Sequence, residues 1–125
     1  GAVTGRERRC GWIDLVALRY SIMVNGVTKL IMMKSDVLDT FDTIKACVAY
    51  ERDGKRMEDF PYNIEDGITP IYTEMKGWKT DMTKITSEEQ FPEEFKNYIK
   101  FLEEQLETPI AIISIGPDRE QTIIR

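Results

Sequence analysis

The sequence predicts an α/β fold on three observations. Two short runs, residues 29–33 and 110–113, are apolar on both faces, which is how buried strands read. Residues 92–106 carry a single apolar stripe at helical spacing. Helical and extended stretches alternate along the chain, as layered sheets and helices require. With 125 residues, 42% of them hydrophobic, the chain can bury one core. No compositional break divides it, so residues 1–125 read as a single unit.

The first element is a helix over residues 12–24. Ile13, Val16, Ala17, Tyr20 and Val24 recur at helical spacing, Asp14 and Arg19 suit the dipole at its two ends, and Asn25-Gly26 supplies the C-cap. The strand at 29–33 follows and stops at Lys34-Ser35-Asp36. Beyond a loop, Ile44, Ala46, Val48 and Tyr50 alternate with Lys45, Cys47, Ala49 and Glu51, the pattern of a strand. Asp53-Gly54 then signals a hairpin with Lys55-Arg56-Met57 as its return. Residues 59–69 contain Pro61, Asn63 and Gly67, show no period, and read as a surface connection.

A short extended segment at 71–75 closes at Lys76-Gly77-Trp78. Pro92 is tolerated in the first turn of the second helix, where Glu93-Glu94 also favour the dipole. Phe95, Tyr98, Ile99, Leu102 and Leu106 form its stripe, and Thr108-Pro109 ends it. The run at 110–113 leads into Ser114-Ile115-Gly116-Pro117 and is a candidate neighbour of the 29–33 strand in one sheet. Met23, Met32 and Met33 lie in apolar segments and read as core, and Glu103-Glu104 as a solvated face.

Composition narrows the function. A net charge of -5, from 17 basic and 22 acidic residues, offers no general attraction for nucleic acid or an anionic membrane. Phosphate binding therefore has to come from a local basic cluster. No apolar run reaches membrane-spanning length, and Gly1-Ala2-Val3-Thr4-Gly5-Arg6 lacks the apolar core of a signal peptide. Cys10 and Cys47 sit in unlike settings and suggest neither a disulfide framework nor a zinc site, which fits a reducing, cytoplasmic compartment. The chain has no histidine, so it holds no hydrolase triad of the usual kind.

Three loops could carry chemistry. Thr4-Gly5-Arg6-Glu7-Arg8-Arg9 gathers three guanidinium groups, whose paired donors suit carboxylate and phosphate; a solvated charge run is the plainer reading. Lys34-Ser35-Asp36 sits at a strand end. A carboxylate there can accept from N1–H and the 2-amino group of guanine together, whereas adenine presents an acceptor at N1 and leaves the pair unmade. So short a motif also occurs as an ordinary loop. Ser114-Ile115-Gly116-Pro117-Asp118-Arg119 offers a glycine that admits close backbone approach, or simply a turn. Ligands of open α/β sheets bind past the carboxyl ends of strands, where the second and third loops lie.

Taken in order, the stretches Thr4-Gly5-Arg6, Arg8-Arg9-Cys10-Gly11-Trp12, Lys34-Ser35-Asp36-Val37-Leu38-Asp39, Cys47-Val48-Ala49-Tyr50, Gly77-Trp78 and Gly116-Pro117-Asp118-Arg119 resemble adenylosuccinate synthetase, the family that joins IMP and aspartate at the expense of GTP. The resemblance covers essentially the whole chain. It implies the C-terminal part of a larger mixed, mostly parallel sheet with flanking helices. Ala2, Val3, Thr4, Gly5, Arg6, Glu7 and Arg8 would match the aspartate-recognition loop, with Arg6 bridging aspartate and the IMP ribose and Arg8 reaching the GTP side. Lys34, Ser35 and Asp36 would frame guanine, and Ser114, Ile115 and Gly116 would contact the same nucleotide.

The implied partners are IMP, L-aspartate and GTP, with Mg2+ held by ligands outside this chain and a homodimer as the full-length enzyme. Val3, Met33 and Ile115 stand where the family commonly has threonine, and each loses a hydroxyl. The family's phosphate loop, catalytic aspartate and catalytic histidine lie upstream of these motifs, so no catalytic residue is assigned here and the isolated chain is expected to be inactive. A non-catalytic guanine-nucleotide binding module is the alternative, and a domain that keeps only the fold is a third.

Overall fold

The computed structural model describes residues 3–64 and 67–125, and it divides the strands between two sheets. The first is centred on β3 (Thr43–Arg52), which pairs in parallel with β1 (Ile13–Asp14) and antiparallel with β4 (Lys55–Met57) and β5 (Thr69–Lys76). The second runs β2 (Leu30–Met32), β6 (Ile110–Ser114), β7 (Thr122–Ile124), with β2 and β6 parallel and β7 antiparallel to β6. Helix α1 (Leu15–Asn25) follows β1, and α2 (Glu93–Leu106) precedes β6. The α/β class holds, but the pairing is mixed across two sheets, because tight returns such as Asp53-Gly54, both at positive φ, can only produce antiparallel neighbours.

Helix α1 begins later than its apolar spacing suggests. Ile13 and Asp14 are held extended by pairing with Ala46 and Cys47, and Asp14 becomes the N-cap, accepting from the Ala17 N–H at 3.1 Å. Tyr50 Oη donates to the other oxygen of Asp14. Gly26, at φ 62, closes the helix as expected, its N–H donating to Ile22 O. The buried face is set by Leu15 and Val16, whereas Tyr20, Met23 and Val24 are exposed. A nearly all-apolar helix carries no stripe that sequence alone can orient.

The α2 stripe is as its spacing predicts: Phe95, Tyr98, Ile99, Leu102 and Leu106 are all buried. They join Leu15 of α1 and Ile44 of the first sheet to Ile110, Ile113 and Ile123 of the second in one cluster. Glu103 is not simply solvated; its Oε2 accepts from the Ile110 N–H at 2.8 Å and ties α2 to the start of β6.

Along β3 the predicted alternation breaks once. Ile44 and Ala46 face the main cluster, but the register against β5 shifts between Cys47 and Ala49, and Cys47 and Tyr50 enter a second cluster with Val16. One extra residue re-aims every side chain after it. Strand β2 alternates instead of burying both faces: Leu30 and Met32 are half-buried while Ile31 and Met33 are exposed. The surface connection read at 59–69 includes Glu65 and Asp66, which lie outside the described residues, and β5 begins at its last position. Among the described residues no helix is long and apolar enough to cross a membrane.

Candidate functional site

Because β2 and β6 are parallel neighbours, their carboxyl ends open at one edge and the loops that follow them meet there. Ser35 Oγ donates to the main-chain oxygen of Ser114 at 3.0 Å, and Ser35 is buried. That single bond joins two of the three loops singled out in the sequence.

The first of these folds as a 3₁₀ turn over Ser35–Leu38. Lys34 enters it at φ 57, a left-handed conformation that costs a residue with a Cβ roughly 1–2 kcal/mol. The turn is held by the Val37 N–H donating to Lys34 O at 3.2 Å and by the Ser35 bond. Asp36 lines an open cleft of ≈ 630 Å³ with Asp39, Thr40, Asp42, Lys79, Thr80, Asp81 and Thr83. The one lysine is ion-paired with Asp42, so the four carboxylates make the cleft acidic. Such a wall favours hydrogen-bond donors and repels phosphate.

Asp39 is the inner carboxylate of this group. Its Oδ1 accepts from Trp78 Nε1 at 2.8 Å and its Oδ2 from the Met82 N–H at 2.8 Å. Burial pushes its carboxyl above the usual range, an effect that these two bonds oppose and the charges of Asp36 and Asp81 reinforce. Trp78 is itself buried, its ring 4.7 Å from that of Phe95 and 5.5 Å from that of Tyr98. Beside it, Gly77 has no room for a side chain: a Cβ would lie 1.8 Å from Phe41 O. Trp78 is therefore a core residue, with its polar edge spent on Asp39.

The second loop is built from the inside. Ser114 Oγ donates to Gly116 O at 3.2 Å. The Ile115 side chain is fully buried in the main cluster and its N–H donates to Gln121 O at 2.9 Å. Gly116 leaves space for Gln121: a Cβ there would fall 2.2 Å from Gln121 Oε1. Gln121 Oε1 accepts from the Asp118 N–H at 2.8 Å, and its Nε2 donates to Thr83 O at 3.2 Å. The loop after β6 is thus tied to the wall of the acidic cleft.

The arginine-bearing segment leads into β1. Ala2 lies outside the described residues; Val3, Thr4, Gly5, Arg6, Glu7 and Arg8 are exposed. The Arg6 N–H donates to Thr4 Oγ1 at 3.5 Å, and Cys10 Sγ contacts Arg8 O at 3.8 Å. The segment reaches the Lys34 turn at Gly11 and Trp12, which line a second cleft of ≈ 270 Å³ with Met33, Lys34 and Ser35 among others. The geometry thus offers an acidic wall at Asp36 and a guanidinium-rich segment that arrives beside Lys34. Asp39, Gln121 and Met82 were not singled out by sequence as site residues. Only the three-residue spacing of Asp36 and Asp39, one turn of a 3₁₀ helix, could have pointed to the first.

A sequence model of the family described as adenylosuccinate synthetase matches residues 1–123. The adenylosuccinate synthetases of Phocaeicola vulgatus and Porphyromonas gingivalis are 74% and 67% identical to this chain over 125 residues. In both comparisons the match covers 100% of this chain and 30% of the relative, so the chain spans under a third of the length of these relatives. A solved structure of fully ligated adenylosuccinate synthetase from Plasmodium falciparum matches with a TM-score of 0.93 at 34% identity, over 100% of this chain and 31% of that one.

Proposed function

Since the chain belongs to the adenylosuccinate synthetase family, we propose that it forms the guanine- and aspartate-recognition part of a GTP-dependent ligase of purine biosynthesis. That enzyme would join IMP and L-aspartate to give adenylosuccinate, GDP and phosphate. The observation that carries this reading is the Ser35–Ser114 hydrogen bond, which fixes Asp36 and the Ser114-Ile115-Gly116 main chain around one sheet edge.

On this reading the Asp36 carboxylate accepts from N1–H and the 2-amino group of guanine, and adenine is refused because its N1 would meet a carboxylate lone pair. The aliphatic stem of Lys34 lies along the base, and the main chain of Ser114, Ile115 and Gly116 holds its other side. An acidic base end and a basic segment bearing Arg6 and Arg8 orient the nucleotide, because the phosphates are repelled from one and drawn to the other. Thr4 and neighbouring amides hold the aspartate carboxylates, and Arg6 bridges aspartate and the IMP ribose.

Mg2+, held by residues outside this chain, would neutralise charge on the GTP phosphates. The chemistry belongs to the remainder of the enzyme: the IMP 6-oxygen is phosphorylated from GTP, and the aspartate amine then displaces phosphate. With no histidine in 125 residues, the chain alone is inactive on this reading.

Steady-state assays of the complete enzyme with GTP and ITP, which lacks the 2-amino group, test the assignment. A hydrogen bond to a charged acceptor is worth about 1.5–3 kcal/mol, a preference of roughly 10–150-fold for GTP. Asp36→Ala should abolish that preference; a variant that keeps it excludes Asp36 as the selectivity carboxylate. Adenylosuccinate production by the isolated chain given GTP, IMP, aspartate and Mg2+ would refute the division of labour.

A further inference from the structure

We propose that Asp39 is a positioning residue for guanine recognition, clamping the turn that presents Asp36; this rests on the reading of Asp36 given above. Asp36 and Asp39 stand three residues apart on a 3₁₀ turn, where side chains at that spacing eclipse and project from one side. The Asp39 N–H donates to Asp36 O at 3.1 Å, so the two residues move together. The outer carboxylate, Asp36, lines the cleft and makes no hydrogen bond or ion pair with another described side chain. The inner one, at 8% exposure, has both oxygens engaged, one by Trp78 Nε1 and one by the Met82 N–H, each at 2.8 Å.

Both donors are rigid. Trp78 is wedged against Phe95 and Tyr98 of α2, and Met82 is fully buried. Ser35 fixes the other end of the same turn by its bond to Ser114 O. Asp36 is therefore carried between two anchors, each made by a buried polar side chain on an otherwise short, irregular segment.

The identity of the anchor argues for position over stability. Burying a carboxylate is unfavourable, and well-packed apolar groups of similar volume generally stabilise as well or better. What a carboxylate adds is direction: two acceptors in one plane, which fix the turn to Trp78 and to the Met82 main chain at once. The energy of a bidentate contact to guanine depends on that direction, because hydrogen bonds weaken steeply with angle. The reacting γ-phosphate lies at the far end of the nucleotide, so a loosened turn should weaken GTP binding without altering the chemical step.

The test uses the complete enzyme with Asp39→Asn, Asp39→Ala, Trp78→Phe and, as a control on the underlying reading, Asp36→Ala. Asparagine keeps one acceptor, and phenylalanine keeps an aromatic ring, though a smaller one, and removes the donor. Asp39→Asn should raise KM for GTP by about tenfold and Trp78→Phe by about threefold, with kcat and KM for IMP within about twofold of wild type. Asp39→Ala should exceed Asp39→Asn, and the GTP-over-ITP preference should fall in step. A lower melting temperature with KM for GTP and the preference unchanged would make Asp39 merely structural and overturn the proposal. Where an Asp39 variant fails to fold, Trp78→Phe decides, and an unchanged KM for GTP there overturns it as well. If Asp36→Ala keeps the GTP preference, the guanine reading fails and this assignment with it; if Asp36→Ala loses it while Asp39→Asn keeps it, only the assignment fails.

Discussion

Replacing Gly77 by alanine would force apart the segment that carries Trp78 and the one that leads into β3. The new Cβ would lie 1.8 Å from Phe41 O and 2.9 Å from Phe41 C, where contacts under 3.0 Å are essentially never seen. The main chain has to yield by about 1.2 Å (3.0 less 1.8). It is not free to do so, because the Gly77 N–H donates to Asp42 O at 2.9 Å and the Phe41 N–H to Leu38 O at 3.2 Å. Overpacking of this kind costs about 1–3 kcal/mol, and loss of the Asp42 bond adds about 1 kcal/mol. A destabilisation of about 2–4 kcal/mol would remove a large share of the roughly 5–15 kcal/mol typical of a domain. At roughly 4 °C per kcal/mol for a chain of this size, the melting temperature should fall by about 8–16 °C. Thermal unfolding followed by near-ultraviolet circular dichroism would report it through Trp78, which packs on Phe95. A fall of less than about 2 °C would show that the Phe41–Asp42 main chain gives way freely and would refute the argument.

Three further outcomes follow from the packing and the site. Phe95→Ala removes a fully buried ring that meets both Trp78 and Phe91, and should cost about 3–5 kcal/mol in urea unfolding; an unchanged midpoint would contradict the central place given to α2. Ser35→Ala should lose about 0.5–1.5 kcal/mol of stability and raise KM for GTP, since it unfastens the two loops, and no change in either quantity would count against that join. Burial, with a smaller contribution from Asp14, pushes the Cys47 thiol above its ordinary value, so its thiolate appears only at higher pH. Pulse alkylation at pH 8 read by mass spectrometry should label exposed Cys10 well before Cys47, and equal labelling would show that the strand carrying Cys47 opens readily.

How much of this was legible in the sequence depended on the reach of each interaction. The α2 stripe could be read because Phe95, Tyr98, Ile99, Leu102 and Leu106 repeat at helical spacing between charged residues. In α1 the apolar residues surround the helix, so the choice of Leu15 and Val16 as the buried pair was left to tertiary packing. The two-residue β1 was hidden inside a helical pattern, and three-residue β7 carries too few side chains for a period. The meeting of the Lys34 and Ser114 loops followed from reading two apolar runs as neighbouring strands, and β2 and β6 do pair. Asp39 was visible only as part of a motif. Its partners lie 39 and 43 residues further along the chain, a separation at which no local pattern operates. Gly116 was read as room for a ligand or as a plain turn; that its missing Cβ also accommodates Gln121 is a contact that only the folded chain reveals.

The central claim is that Asp36 reads guanine at the edge where β2 and β6 end. A crystal structure of the complete enzyme with GDP bound tests it most directly. Both oxygens of Asp36 should lie about 2.7–3.2 Å from guanine N1 and the 2-amino nitrogen, with the Ser114-Ile115-Gly116 main chain against the opposite side of the base. A guanine ring seated away from the Lys34 turn, with Asp36 left facing solvent, would contradict the account.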